Sequence, residues 1–141
     1  MSAKTGFTVD TAGPGLYEIT PRIARWLSGQ GGDGVLTLFV RHTSCSLLVQ
    51  ENADSDVQAD LRAFFDRLVP PADDARMHYL RHRAEGPDDM PAHIKAAMMP
   101  VSLSIPVDAG RMCLGTWQGV YVAEHRAAPH SRRIAAHLAR G

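Results

Sequence analysis

Residues 34–52 read GVLTLFVRHTSCSLLVQEN, and the fold turns on how this stretch is read. It is rich in β-branched and aromatic residues, so it predicts a strand, a turn or bend, and a second strand. Alternate residues of a strand share a face, which lines up Leu36, Leu38, Val40 and His42. His42 thus continues an apolar row at the point where the strand ends and a site can sit on rigid scaffold. The plainer alternative is a core or rim histidine hydrogen-bonded to a backbone carbonyl.

Working outward, Val57, Leu61, Phe64, Phe65 and Leu68 recur at helical spacing, with Asp54 as cap and Pro70-Pro71 as stop. Upstream, Gly6 to Asp10 predicts a first strand and Leu16 to Ile19 a second, separated by a Gly-Pro-Gly turn. Thr20 reads as an N-cap with Pro21 at the first helical position, followed by Ile23, Trp26 and Leu27 and ended by Gly29. Downstream, PAHIKAAMM predicts a short helix with Asp89 as cap and Pro91 at its first position. SLSIPV and RMCLGTWQGVYVAEH read as two strands joined by the turn Asp108-Ala109-Gly110. The tail SRRIAAHLAR has helical propensity but follows a proline and is equally a final strand. Strands forming the core with a few intervening helices make an α+β fold, a single domain over 1–141.

Composition narrows the function classes. The chain has 141 residues, 45% hydrophobic and 21% charged, with a formal net charge of zero. Neutrality removes the usual electrostatic reason for a nucleic-acid or membrane-surface partner. No apolar run approaches a spanning helix, and MSAKTGFTVD lacks the apolar region of a signal peptide, so a cytoplasmic protein is expected. Cys45 and Cys113 each fall in a predicted strand and read as small buried hydrophobes. Histidine is the unusual component, with seven copies.

Those histidines cluster with carboxylates in HRAEGPDDMPAHIK, residues 82–95. His82 and His93 flank a Gly86-Pro87 turn that reverses the chain and can bring the two rings together. With His42 they would make three imidazoles with an open fourth position, the donor set of a catalytic zinc ion. Spacing alone does not prove it, because no HExxH is present and pairing with His42 is long-range. Glu85 lies between the histidines, either to orient a ligand imidazole or to serve as general base. Asp88 or Asp89 is expected to cap the following helix. Asn52 and Asp54, at the end of the second strand of the opening stretch, could bind polar substrate groups or fix histidine tautomers. Gly115 and Gly119 flank Trp117 and Gln118, marking either a bulge beside a core tryptophan or a ligand-facing strand. Arg126, Arg132 and Arg133 suit phosphate recognition, although surface arginines are commonplace. His125 is left unassigned.

HTSCSLLVQENADSDV, HRAEGPDDMPAHIKAAMM and SLSIPVDAGRMCLGTWQGVYVAEHR, followed by SRR, resemble the YjbQ family over nearly the whole chain. Members of that family are often described as secondary thiamine-phosphate synthases. The resemblance implies an α+β fold containing a β-sandwich of mostly antiparallel strands, assembled as a homotrimer, with the tail as a strand. It implies a divalent metal, usually zinc, near His42, His82 and His93, with His125 outside the ligand set. The implied reaction joins an aminopyrimidine diphosphate to a thiazole phosphate and releases pyrophosphate. In that reading Glu85, Asn52 and Asp54 are catalytic, while Trp117, Gln118, Arg132 and Arg133 bind the phosphorylated substrate. Two alternatives stay open: a metal-dependent hydrolase of a phosphorylated metabolite, and a non-enzymatic, metal-stabilised trimeric binding protein.

Overall fold

Alternation of apolar residues builds the core. In the computed structural model, which describes residues 1–141, the row Leu36, Leu38, Val40 lies on β3 (Gly34–Val40) and is fully buried. β3 is the middle strand of a five-stranded antiparallel sheet, ordered β1-β8-β3-β5-β6. Its other strands are β1 (Ser2–Thr11), β5 (Ser102–Asp108), the two-residue β6 (Arg111–Met112) and β8 (His130–Arg140). A second antiparallel sheet, ordered β2-β7-β4, contains β2 (Gly15–Glu18), β4 (Cys45–Glu51) and β7 (Gln118–Glu124). Cys45 and Leu47 of β4 and Val120 and Val122 of β7 meet the inner face of the large sheet in one core. Ile23 and Leu27 of α1 (Thr20–Ser28) close that core. Two further helices follow, α2 (Ser55–Leu68) and α3 (Asp89–Met98), the second preceded by a 3₁₀ turn at Ala75–Met77. No helix is long and apolar enough to cross a membrane.

Several local expectations are corrected. Thr20 is the first helical residue and Ile19 holds the cap position, with no side-chain cap. The Thr20 hydroxyl instead donates to Glu18 and accepts from the Val120 amide, tying α1 to β7. RMCLGTWQGVYVAEH is not one strand. Its first two residues pair with β5 in the large sheet, whereas Gln118–Glu124 joins the small one. Between them the chain turns at Gly115, whose amide donates to the Gln118 side chain while Gln118 N donates back to Gly115 O. Cys113 falls in this crossing and is exposed; only Cys45 is buried.

The Asp108–Arg111 hairpin forms as expected. Ala109 and Gly110 both have positive φ, 50° and 75°, the geometry of a two-residue turn matched to strand twist. The alanine-rich tail is a strand, paired on one side with β1 and on the other with β3. Arg132, Ile134, Ala136 and Leu138 point inward along it. Its helical propensity loses to two full ladders of hydrogen bonds.

Candidate metal centre

Asp89 opens α3 and His93 lies one turn later, so the two side chains share a face of the helix. His82 reaches them from the preceding loop. That loop is fixed by Arg83, whose guanidinium donates to the carbonyls of Ala72, Met77 and Leu80. The turn at Gly86, with φ of 100°, then sends the chain into α3. His82 Nε2 stands 2.7 Å and His93 Nε2 3.2 Å from the same oxygen, Asp89 Oδ2. The ring centroids are 5.7 Å apart. Glu85 Oε2 lies 3.2 Å from His82 Nε2, on the exposed side of the group.

Other groups orient these three. His93 Nδ1 donates to the Thr43 carbonyl at 2.9 Å, which turns Nε2 inward, so that a neutral ring would present its lone pair there. Asp89 is buried, and Arg126 Nη1 sits 2.8 Å from its other oxygen. Burial alone would raise the Asp89 pKa. The hydrogen bond from His82 and the charges of Arg126 and His93 outweigh it and hold the carboxyl below its usual range. Neither aspartate caps α3: Asp88 stands at the cap position without a capping hydrogen bond. It accepts instead from Arg126 Nε at 2.9 Å and Ala127 N at 2.8 Å. Nor is Pro91 the first helical residue, since the helix begins two residues earlier.

His82, Asp89 and His93 each offer one ligand atom, and these atoms lie within 4.8 Å of one another. Two inward-facing imidazole nitrogens about one ionised carboxylate are a donor set that fits a divalent transition metal, with coordination positions left over. In the sequence Asp89 reads only as a cap, yet a signal for its role is present. Asp and His four apart on a helix place two ligands on one face, by the same geometry that HExxH exploits. Arg126 carries no comparable signal.

His42 is placed elsewhere. It sits at the end of β3 and its Nε2 accepts from the Arg133 amide at 2.8 Å. Burial first, then the nearby Arg132 charge, lowers its pKa. Its neighbour Thr43 is the residue that holds His93. The remaining candidates divide among three places. Arg132 is buried, its guanidinium committed to Glu124 and Ser44. Arg133 is exposed, beside Arg41 at a shallow hollow against β1.

Asn52, Asp54, Trp117 and Gln118 gather at the far end of β4. Gln118 pairs with Glu51 there, whereas Glu124 pairs with Cys45 at the histidine end. Six strand steps separate those ends, about 20 Å. Asp54 caps α2 by accepting from Asp56 N, and Trp117 is exposed.

The family model described as "UPF0047 protein YjbQ-like" matches residues 5–141. The chain is 47% identical over 131 residues to the UPF0047 protein sll1880 of Synechocystis sp., covering 92% of this chain and 86% of that one. It is 41% identical over 133 residues to the UPF0047 protein YjbQ of Escherichia coli O157:H7, covering 93% of each. Among solved structures it is similar to the conserved hypothetical protein TT1486 of Thermus thermophilus, with TM-score 0.82 and 34% identity over 96% of this chain and 99% of that one. A YjbQ/UPF0047-family protein of Clostridium acetobutylicum gives TM-score 0.83 and 28% identity over 96% and 99%. None of these names states a reaction.

Proposed function

The chain belongs to the UPF0047, YjbQ-like family, and on that premise we propose that it is a metal-dependent enzyme centred on His82, Asp89 and His93. One observation carries the reading: both Nε2 atoms converge on a single carboxylate oxygen. A divalent ion held by these three residues, zinc in the first instance, would supply positive charge to a departing diphosphate.

The chain's own residues do the rest. Thr43 fixes the His93 tautomer. Arg126 keeps Asp89 ionised and oriented. Glu85, exposed beside His82, takes or returns a proton at the mouth of the site. The reaction we assign first is the thiamine-phosphate-synthase type. A thiazole nitrogen attacks the methylene carbon of an aminopyrimidine diphosphate, a C–N bond forms, and the C–O bond to diphosphate breaks. Positioning and charge stabilisation are the main demands of such a displacement.

Hydrolysis of a phosphorylated metabolite is the second reading. It is favoured by Glu85, an accessible carboxylate whose side chain meets His82 and no guanidinium, and which is open to water. The reading includes a homotrimer. Its support is the outer face of the large sheet, where Val35 and Phe39 are 44% and 49% exposed and pair with Ala139 and Ala135 of β8.

The test begins with metal content per chain in untagged protein, wild type beside His93→Ala and Asp89→Asn. About one ion per chain in wild type, lost in both variants, supports the centre. Metal-free wild type that binds no added zinc overturns it. Assay of the pyrimidine diphosphate with and without thiazole phosphate then separates the two chemistries. Turnover only with thiazole phosphate is transfer, and turnover without it is hydrolysis. No turnover by the loaded protein rejects both and leaves a metal-stabilised binding protein.

A further inference from the structure

On the other side of α3 from the metal-suited group lies a cavity of about 390 Å³, between α2, α3, β2 and the outer face of the three-stranded sheet. Leu16, Leu48, Leu61, Phe65 and Met99 give it apolar walls. Its polar groups are few and concentrated: Lys95, Arg62, Asp66 and His125. Size and lining are those of a small-molecule pocket, mostly apolar with a handful of placed polar groups.

His125 shows what those groups await. The residue is only 9% exposed, and its one side-chain partner is the Ser46 hydroxyl, 2.9 Å from Nε2. Ser46 is fully buried and has no other acceptor for its proton. A sealed hydroxyl with one acceptor donates to it, so Nε2 is the acceptor and the ring proton is assigned to Nδ1. Burial first, then the Lys95 charge, lowers the imidazole pKa to about 4 and keeps it neutral. The Nδ1–H therefore has no partner within the protein, on a ring that lines the cavity.

Charge narrows the ligand. Lys95 Nζ lies 2.9 Å from Asp66 Oδ1 and Arg62 Nε 3.9 Å from Asp66 Oδ2. Two cations share one carboxylate, which leaves a single uncompensated positive charge beside a neutral donor. We propose that this cavity is a second ligand site, for a small organic monoanion: an apolar or aromatic body carrying one carboxylate. The carboxylate accepts from His125 Nδ1–H and Lys95, and the body lies against Leu61 and Phe65.

This site is separate from the metal-suited group. Lys95 is two residues beyond His93 on α3 and so on a different face. His125 likewise turns to the cavity, while the next residue, Arg126, holds Asp88 and Asp89.

The probe is 2-naphthoate, titrated by calorimetry and by amide NMR shifts. Its uncharged counterpart is 2-naphthalenemethanol, and its dianionic one is 2-naphthyl phosphate. One naphthoate per chain is expected, with both counterparts and Lys95→Met weaker by about tenfold or more, as loss of a charge-assisted contact predicts. Leu61→Trp, which fills the cavity, is expected to abolish binding; thermal unfolding shows that it folds, and Lys95→Met decides the matter if it does not. His93→Ala is expected to bind as wild type. Four results overturn the proposal: no saturable binding at millimolar probe, tighter binding of the phosphate or the alcohol, wild-type affinity in Lys95→Met, or loss of binding in His93→Ala.

Discussion

Acidification from pH 7.5 to 5.0 should weaken this protein through His125 alone by about 2 kcal/mol. The groups facing that ring are Ser46, Lys95, Glu124 and Arg132. In the folded chain burial and Lys95 lower its pKa to about 4, against an ordinary value of 6.5. Between those values the unfolded chain binds a proton that the folded chain refuses, so stability rises with pH throughout the window and falls as acid is added. The 1.5 units from 6.5 down to pH 5.0, at ~1.4 kcal/mol each, give the figure. It stops growing near pH 4, where the folded ring protonates as well. With a urea m-value of about 2 kcal/mol/M, the unfolding midpoint drops by about 1 M. His125→Gln keeps a hydrogen-bonding group near Ser46 but cannot titrate. His42, whose pKa is also lowered, is present in both proteins and cancels in the comparison. Urea unfolding of wild type and His125→Gln at pH 7.5, 6.5, 5.5 and 5.0 is the assay. Parallel loss of stability in the two proteins would refute the reasoning.

Arg132→Met should cost about 3–5 kcal/mol in urea unfolding, because it strands the Glu124 carboxylate in the core. Glu124 would be raised by burial, but hydrogen bonds from Arg132, Thr11 and the Arg126 amide hold it low. Its share of stability is therefore lost only as the pH falls below the ordinary carboxylate value. Gly34→Ala would drive a Cβ into the Ala139 carbonyl, backbone with no flexible side chain to yield. About 3 kcal/mol of destabilisation is expected in the same assay. A thiol reagent should label Cys113 alone in the native protein. Cys45 is sealed, and burial pushes its thiol up to about 11, so it reacts only after unfolding. If Val35 and Phe39 form the trimer contact, Val35→Lys with Phe39→Lys yields monomers by light scattering while leaving the metal content unchanged.

Much of the scaffold was legible because alternation and helical spacing are local signals. Leu36, Leu38 and Val40 announced β3, and Val57, Leu61 and Phe65 announced α2 through one residue of each turn. The rest depended on partners distant in sequence. The tail is a strand because β1 and β3 flank it; the alternation of Ile134, Ala136 and Leu138 allows that, but the alanine-rich composition of SRRIAAHLAR suits a helix as well. The crossing at Gly115 hides inside what composition presents as one long strand. The site follows the same division. His82 and His93 were readable as a pair, since one turn joins them. Asp89 was masked by its position before a helix, where capping is the cheaper explanation. Arg126 acts across 38 residues on Asp88, a separation that no spacing argument covers.

The two ends of β4 bear on whether one chain suffices for catalysis. Asn52, Asp54, Trp117 and Gln118 lie about 20 Å from the histidines along a paired, hydrogen-bonded strand. Side-chain movement does not close such a gap, and β4 cannot shorten without breaking its ladder to β7. A reaction that uses both groups therefore needs a second copy to bring its far end to the first copy's Asp89. A reaction confined to His82, Asp89, His93 and Glu85 does not. Trp117→Ala separates these cases by kinetics. Loss of turnover with intact metal binding assigns the far end to the reaction, and unchanged turnover confines the chemistry to the histidine end. Mixing inactive Trp117→Ala with inactive His93→Ala then adds a direct test. Mixed oligomers regain activity only if the two ends meet across a subunit boundary.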